Sequence, residues 1–318
     1  MLRVWDCAEK QCVTPAATKM HDDYFLCGWR VHSALPIPEL VRWPAGDDRP
    51  PDIFVEEGVV PEWLGGAQRL SRYVMVDPAG TILLNIADRQ RFLIEDGSRV
   101  TVDLMKREEP GSWHLFFLGI VLGYLCHQRG VFPLRAATLR VGGQAIVIAG
   151  ASGAGKSTLA HALNQRGHPV LSDEITAIRD RHRHLEIVPA FPRLNLWRSA
   201  LDAATISISG LPQLRGQIEK YAVEPQGGFD LRPLPPDTIV ILGEATQASL
   251  TKLTPAFAFP AIQAYIPQQK VAAALGQHKR LFATTARIVS KAPIYRLLHP
   301  KRFEALQEVV SLVESVAG

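Results

Sequence analysis

Nine residues near the middle of the chain, Gly150-Ala151-Ser152-Gly153-Ala154-Gly155-Lys156-Ser157-Thr158, restrict the fold more than any other stretch. Three glycines and no bulky side chain before Lys156 let the backbone turn tightly and expose its amides. The preceding Gln144 to Ala149 (QAIVIA) is a short apolar run of strand type. The following Ser157 to Arg166 (STLAHALNQR) sets Leu159, Ala160, Leu163 and Asn164 at helical spacing and is closed by Gly167. Strand, glycine turn and helix in that order bring free N–H groups and the positive end of a helix dipole to one point, where an anion is favoured. The pattern is G-x-x-x-x-G-K-[ST], in which the amides cradle phosphates, the Lys reaches the outer ones and the Ser hydroxyl meets Mg²⁺. Gly150 through Thr158 are therefore the candidate binding residues for a nucleoside triphosphate.

The next informative stretch is His168-Pro169-Val170-Leu171-Ser172-Asp173-Glu174-Ile175-Thr176-Ala177-Ile178. Val170-Leu171 reads as a strand that ends in an acidic pair 17 and 18 residues beyond Lys156. Two carboxylates beside bound phosphates have an evident division of labour. One holds Mg²⁺, directly or through water, and the other takes the proton from an attacking hydroxyl. Residue types alone leave open which does which, and a helix cap or exposed turn is the structural alternative.

Composition limits the class of protein. At 318 residues, with 47% hydrophobic and 21% charged residues, the chain is an ordinary globular protein with room for two domains. A net charge of +4, scattered along the sequence, gives no basic face for nucleic acid. The densest basic run, Arg179 to His184, falls where a solvated hairpin tip is expected. The apolar run Leu115 to Cys126 has 12 residues, too few for a bilayer, and reads as a buried helix. Cys7, Cys12, Cys27 and Cys126 are too dispersed for a disulfide framework, and Cys7 and Cys12 lack partners at zinc-ligand spacing. MLRVWDCAEK carries no apolar leader, so the expectation is a cytoplasmic protein without a membrane partner.

Residues 1–111 read as a small, mostly β domain and 112–318 as the nucleotide-binding domain. Tyr24–Ser33, Ile53–Val55, Tyr73–Asp77, Thr81–Ile86, Arg91–Ile94 and Arg99–Leu104 are expected strands, with turns at Asp77-Pro78-Ala79-Gly80 and Glu95-Asp96-Gly97-Ser98. Ser112 to Arg129 reads as a helix apolar on nearly every side. Phe132–Val141 is an expected strand, turned back at Gly142-Gly143 into the strand that delivers the loop; this hairpin entry departs from the usual parallel βαβ unit. Pro189 to Trp197 is an apolar edge segment whose only charge, Arg193, is a candidate for the cleft. Arg198 to Pro235 reads as loose chain rich in turn residues with room for one short helix, suited to a lid or acceptor-binding loop, with Lys220 in it. Thr238–Leu242 is a buried strand, Ile294–Leu298 another, and Gln269–Val289 and Phe303–Val316 are long helices.

With the loop and acidic pair in hand, Gly150 to Ile178 resembles the HPr kinase/phosphorylase family, and among its members the HPr-kinase-like serine kinases, including those found with lasso-peptide biosynthesis. Arg166-Gly167-His168 matches the family's R-G-H, and Leu171-Ser172-Asp173-Glu174 matches its L-x-D-D with Glu for the second Asp. Leu134-Arg135-Ala136-Ala137 and Pro192-Arg193-Leu194-Asn195-Leu196-Trp197 are similar to the relatives' strand entry and P-R-x-x-L-W segment. The resemblance implies an α+β fold: a kinase core with a mixed, largely β sheet and flanking helices, as in phosphoenolpyruvate carboxykinase. It also implies ATP-dependent transfer to a serine hydroxyl of a protein or peptide. Lys156 would bind the β- and γ-phosphates, Ser157 the Mg²⁺, Asp173 would be the general base and Glu174 would support the metal. Relatives form rings, so a homo-oligomer is allowed, although no interface is legible.

Two departures stand out. Arg135 replaces a His of the relatives; it cannot carry a proton at neutral pH but can brace phosphate oxygens. The R-G-x-G-I segment of true HPr kinase/phosphorylases is missing, which argues against phosphorylase activity and against HPr as substrate. The alternatives are a nucleotide-binding regulatory module without transfer activity and an ATPase or small-molecule kinase.

Overall fold

The computed structural model describes residues 22–86, 89–105, 113–181, 184–215 and 218–317. Cys7, Cys12, the MLRVWDCAEK stretch, and His182 and Arg183 of the basic run lie outside them.

Among the described residues nine strands precede the helices: β1 (Asp22–Leu26), β2 (Trp29–Ser33), β3 (Val41–Arg42), β4 (Ile53–Glu57), β5 (Gln68–Arg69), β6 (Val74–Val76), β7 (Ile82–Ile86), β8 (Gln90–Glu95) and β9 (Arg99–Asp103). They form one sheet in the order β3-β1-β2-β4-β9-β8-β7-β6-β5. Tyr24–Ser33 is not the single strand its apolar content suggests. Cys27 and Gly28 both take positive φ, 52° and 71°, a two-residue turn that folds the segment into the β1–β2 hairpin. Along β8, buried and half-buried residues alternate, so Phe92 and Ile94 reach the core while Arg91 and Leu93 face outward.

The helical segment that follows runs from α1 (Trp113–Phe116) through a π-helical turn (Phe117–Val121) into α2 (Leu122–Gln128). Phe117, Leu118, Val121, Leu122, Leu125 and Cys126 are all inaccessible to solvent, as expected of a helix covered on most sides. They share one hydrophobic cluster with the nine-stranded sheet and with Ile175, Ala177 and Phe191 from beyond the phosphate loop.

The rest of the chain is built from β10 (Phe132–Leu134), β11 (Ala136–Val141), β12 (Gln144–Ala149), α3 (Lys156–Gln165), β13 (Val170–Ser172), β14 (Thr176–Arg181), β15 (His184–Val188), β16 (Leu194–Trp197), α4 (Arg198–Ala203), β17 (Gln213–Arg215), β18 (Ile218–Val223), β19 (Thr238–Glu244), β20 (Ser249–Lys252), α5 (Pro255–Gln263), α6 (Gln269–Ala274), α7 (His278–Lys291), β21 (Ile294–His299) and α8 (Leu306–Glu314). A six-stranded mixed sheet, β13-β11-β12-β19-β21-β20, carries the loop. β12 pairs antiparallel with β11 through the Gly142-Gly143 turn and parallel with β19, and β19 is parallel to β21. Three-stranded sheets β10-β14-β15 and β16-β18-β17 flank it. The architecture is α+β, mixed sheets with flanking helices, as expected.

Several local expectations are corrected. Phe132–Val141 breaks at Arg135, whose amide donates to Tyr265 O at 2.8 Å, so the two halves join different sheets. Gln269–Val289 is two helices, because Gly276 at φ 68° ends the first after a turn at Leu275. Phe303–Ala305 is a 3₁₀ turn, and the last helix starts only at Leu306. Arg198–Pro235 holds a short helix, α4, as read from the sequence, and is more ordered than loose chain beyond it, where β17 and β18 form a hairpin. Its apolar positions, such as Leu201, Tyr221 and Val223, pack a small cluster of their own. Among the described residues no helix is long and apolar enough to cross a membrane.

Candidate active site

The phosphate loop leaves the end of β12 and enters α3. Gly153 and Gly155 take φ of 78° and 94°, values that cost an L side chain strain, so the loop needs glycine there. α3 starts without a side-chain cap and without an acidic residue in its first turn. Its first N–H groups and the positive end of its dipole are thus left for a ligand. Lys156 folds back along the loop, and its ammonium donates to Gly150 O at 3.0 Å and Ala151 O at 2.9 Å. Two of its three N–H bonds are thereby fixed and the third is free to meet an anion. Burial pulls the Lys156 pKa below its ordinary value, with Asp173 working in the opposite direction.

Asp173 follows β13, and its position is set from behind by a buried hydroxyl cluster. Thr138 Oγ1 and Ser172 Oγ lie 2.8 and 3.0 Å from Thr176 Oγ1, which donates to Ala136 O. These contacts tie β11, β13 and β14 together under the carboxylate. Ser157 Oγ donates to Asp173 Oδ1 at 2.9 Å, and Asn195 N from β16 donates to Oδ2 at 2.8 Å. Asp173 is 1% exposed, and burial, then the charge of Glu174, push its carboxyl above the usual range.

Glu174 occupies the turn between β13 and β14 at φ 78°, an uncommon conformation for a side-chain-bearing residue. Its own N–H is held there by Asp173 Oδ1 at 3.1 Å. Lys220 Nζ of β18 meets Glu174 Oε1 at 2.8 Å. Burial opposes ionisation of Glu174, but Lys220, helped by Arg193 and Arg135, outweighs it and sets the carboxyl below its ordinary value. The two neighbouring carboxylates are therefore driven apart, one raised and one lowered, an arrangement suited to separate roles.

These groups line one cleft of about 430 Å³. Ser152 through Thr158, Asp173, Glu174 and Arg135 all line it; Gly150 and Ala151 contribute the carbonyls that hold Lys156. Arg193 does not line it. It is 3% exposed and pairs with Glu39 at 3.0 Å, acting on Glu174 only through its charge. Lys220, a sequence candidate for the site with a solvated charge as the alternative, lines the cleft, on β18 where it stands opposite Trp197 of β16.

Other lining residues carried no signal in the sequence. Leu115, Gly119 and Ile120 come from the helical segment, Gln268 from the turn before α6, and His299 from the end of β21. His299 Nε2 lies 3.2 Å from Ala154 O, bracing the loop from the side away from Asp173. Five Lys and Arg side chains face two carboxylates among the described lining residues, so the cleft suits an anion.

No family model matches the sequence, and no curated protein matches it. Among solved structures, the Hpr(Ser) kinase/phosphatase from Coxiella burnetii is similar over 58% of this chain and 87% of that chain, at 12% identity and a TM-score of 0.31. The structural relationship is distant.

A metal is implied by the loop motif, and the donor set can be tested against it. Among the described residues no group of three or more His, Cys, Asp or Glu could hold a metal ion. Mg²⁺ asks for less: one or two carboxylates, phosphate oxygens and several waters. Ser157, Asp173 and Glu174 at the loop supply that set.

Proposed function

We propose that the chain is an ATP- and Mg²⁺-dependent phosphotransferase that moves the γ-phosphate to a serine hydroxyl of a protein or peptide. The observation that supports this reading is the 2.9 Å bond from Ser157 of the loop to Asp173 just after β13, which ties a buried carboxylate to the loop.

In this reading the loop amides and Lys156 hold the triphosphate, and Arg135, exposed in the cleft without a side-chain partner among the described residues, braces phosphate oxygens. Bound Mg²⁺ would neutralise charge on the β- and γ-phosphates. Asp173 accepts the proton of the acceptor hydroxyl as the new O–P bond forms and the bond to the β-phosphate oxygen breaks, releasing ADP. Phosphoryl transfer asks mainly for positioning and charge neutralisation, which this set supplies. Burial first, then the charge of Glu174, raise the Asp173 pKa, which makes it the stronger base of the two carboxylates. A second assignment exchanges the carboxylates: Glu174 has 32% of its side chain exposed, and so is the easier for an acceptor to reach.

Labelled ATP, Mg²⁺ and a serine-peptide library test the proposal. Transfer of label by the wild type, abolished by Lys156→Ala, supports it; tight binding without transfer supports a regulatory module, and phosphate release alone supports an ATPase. Comparing Asp173→Asn with Glu174→Gln identifies the base, since loss of a general base costs roughly 10²–10⁴-fold in rate.

A further inference from the structure

The order of strands gives the cleft two chemically different ends. β12 delivers the loop, β13 lies two strands to one side and β21 two strands to the other. The β13 end carries Asp173 and Glu174, with Lys220 bonded to Glu174 and Trp197 opposite Lys220 on the neighbouring pair of strands. That is the end where a terminal phosphate and its acceptor belong.

At the β21 end the chain runs from His299 through Pro300-Lys301-Arg302 to Phe303 and into α8. Phe303 lines the cleft with 42% of its surface exposed, and Leu306 and Val309 line the same wall. Lys301 is partly engaged, 2.7 Å from Glu244, and both nitrogens of His299 face backbone carbonyls, of Ala154 and Pro300. Side-chain carboxylates and amides among the described lining residues are confined to Asp173, Glu174 and Gln268. The first two stand at the opposite end, and Gln268 donates to Ile120 O of the π-helical turn. Among the described lining residues the β21 end therefore presents an aromatic face, an apolar wall and cations, with no carboxylate or amide side chain.

We propose that Phe303, backed by Leu306 and Val309, is a stacking platform for the ring of a nucleotide whose triphosphate lies in the loop; this rests on the nucleotide reading above. Adenine and guanine differ in the donors and acceptors on their edges, whereas both offer the same kind of π-face. A platform that stacks the ring, with no carboxylate or amide side chain of the described lining set to receive the guanine N1 and N2 hydrogens or the adenine amino group, takes ATP and GTP alike.

Calorimetric titration of the full chain with ATP, GTP and inorganic tripolyphosphate, each with Mg²⁺, tests this. The wild type binds ATP and GTP within about threefold of each other. Phe303→Ala weakens both by roughly tenfold and leaves tripolyphosphate unchanged, whereas Phe303→Trp restores nucleotide affinity. Equal weakening of tripolyphosphate, unchanged nucleotide affinity in Phe303→Ala, or a wider preference for one purine overturns the platform. If the wild type binds none of the three, or if Lys156→Ala leaves all three affinities intact, the nucleotide reading itself fails and the platform with it.

Discussion

Asp173→Asn removes a charge and reverses the hydrogen-bonding sense of one atom in an enclosed place. Oδ1 of Asp173 accepts from Ser157 Oγ at 2.9 Å and Glu174 N at 3.1 Å, and Oδ2 accepts from Asn195 N at 2.8 Å. An amide has one acceptor atom, so its NH₂ must oppose either Asn195 N–H or the donors on the other side. A buried donor left without a partner costs about 1–3 kcal/mol. Charge acts in the opposite direction. Because the folded-state pKa of Asp173 is raised, by burial first and Glu174 second, its ionised form is a cost to folding, greatest above the folded value and gone below the unfolded value near 3.8. The asparagine variant escapes that cost at neutral pH.

The two effects offset, so the melting temperature at pH 7 should move by no more than roughly 5 °C. The variant should compare worse with wild type as pH falls towards 4, where the wild-type carboxyl takes up its proton and sheds its penalty. Transfer of label to serine peptides should meanwhile fall by roughly 10²–10⁴. Thermal melts at both pH values and the transfer assay check these outcomes. Activity within threefold of wild type in a well-folded variant would remove Asp173 as base, and a fall of more than 10 °C at pH 7 would refute the offset.

Two further substitutions test other contacts. Lys220→Met removes the cation that holds Glu174 below its ordinary pKa; the stability tied to a lowered carboxyl exists above the unfolded value near 4.5 and fades as pH drops through the folded one. The variant should lose about 1 kcal/mol at pH 7, seen as a melting temperature lower by about 2–4 °C, and little in acid; a penalty independent of pH contradicts the pairing. Gly227→Ala would set a methyl group 1.9 Å from Asn164 O of α3, so backbone must move, at a cost of about 1–3 kcal/mol or more. A wild-type melting curve for that variant would show that the approach of this loop to α3 is not as close as described.

What the sequence determined by itself is local backbone chemistry. QAIVIA, the glycines and STLAHALNQR specify strand, turn and helix within a few residues of one another, and Gly142-Gly143 specifies the hairpin entry, because dihedral preference and hydrophobic period act over short distances. The acidic pair was legible for the same reason: it ends the next strand, and a short connection keeps it near the loop. Convergence from distant parts of the chain was not legible. Lys220 reaches Glu174 only because β16 and β18 pair, Asn195 N reaches Asp173 only because β16 packs beside β13, and His299 braces the loop only because β21 joins β19. Arg193 shows the converse, a lone charge in an apolar segment that tertiary packing sends to Glu39 rather than into the cleft. Side chains far apart in the chain have no local signal of their meeting; only the burial of shared apolar faces decides which polar tips end up in the same pocket.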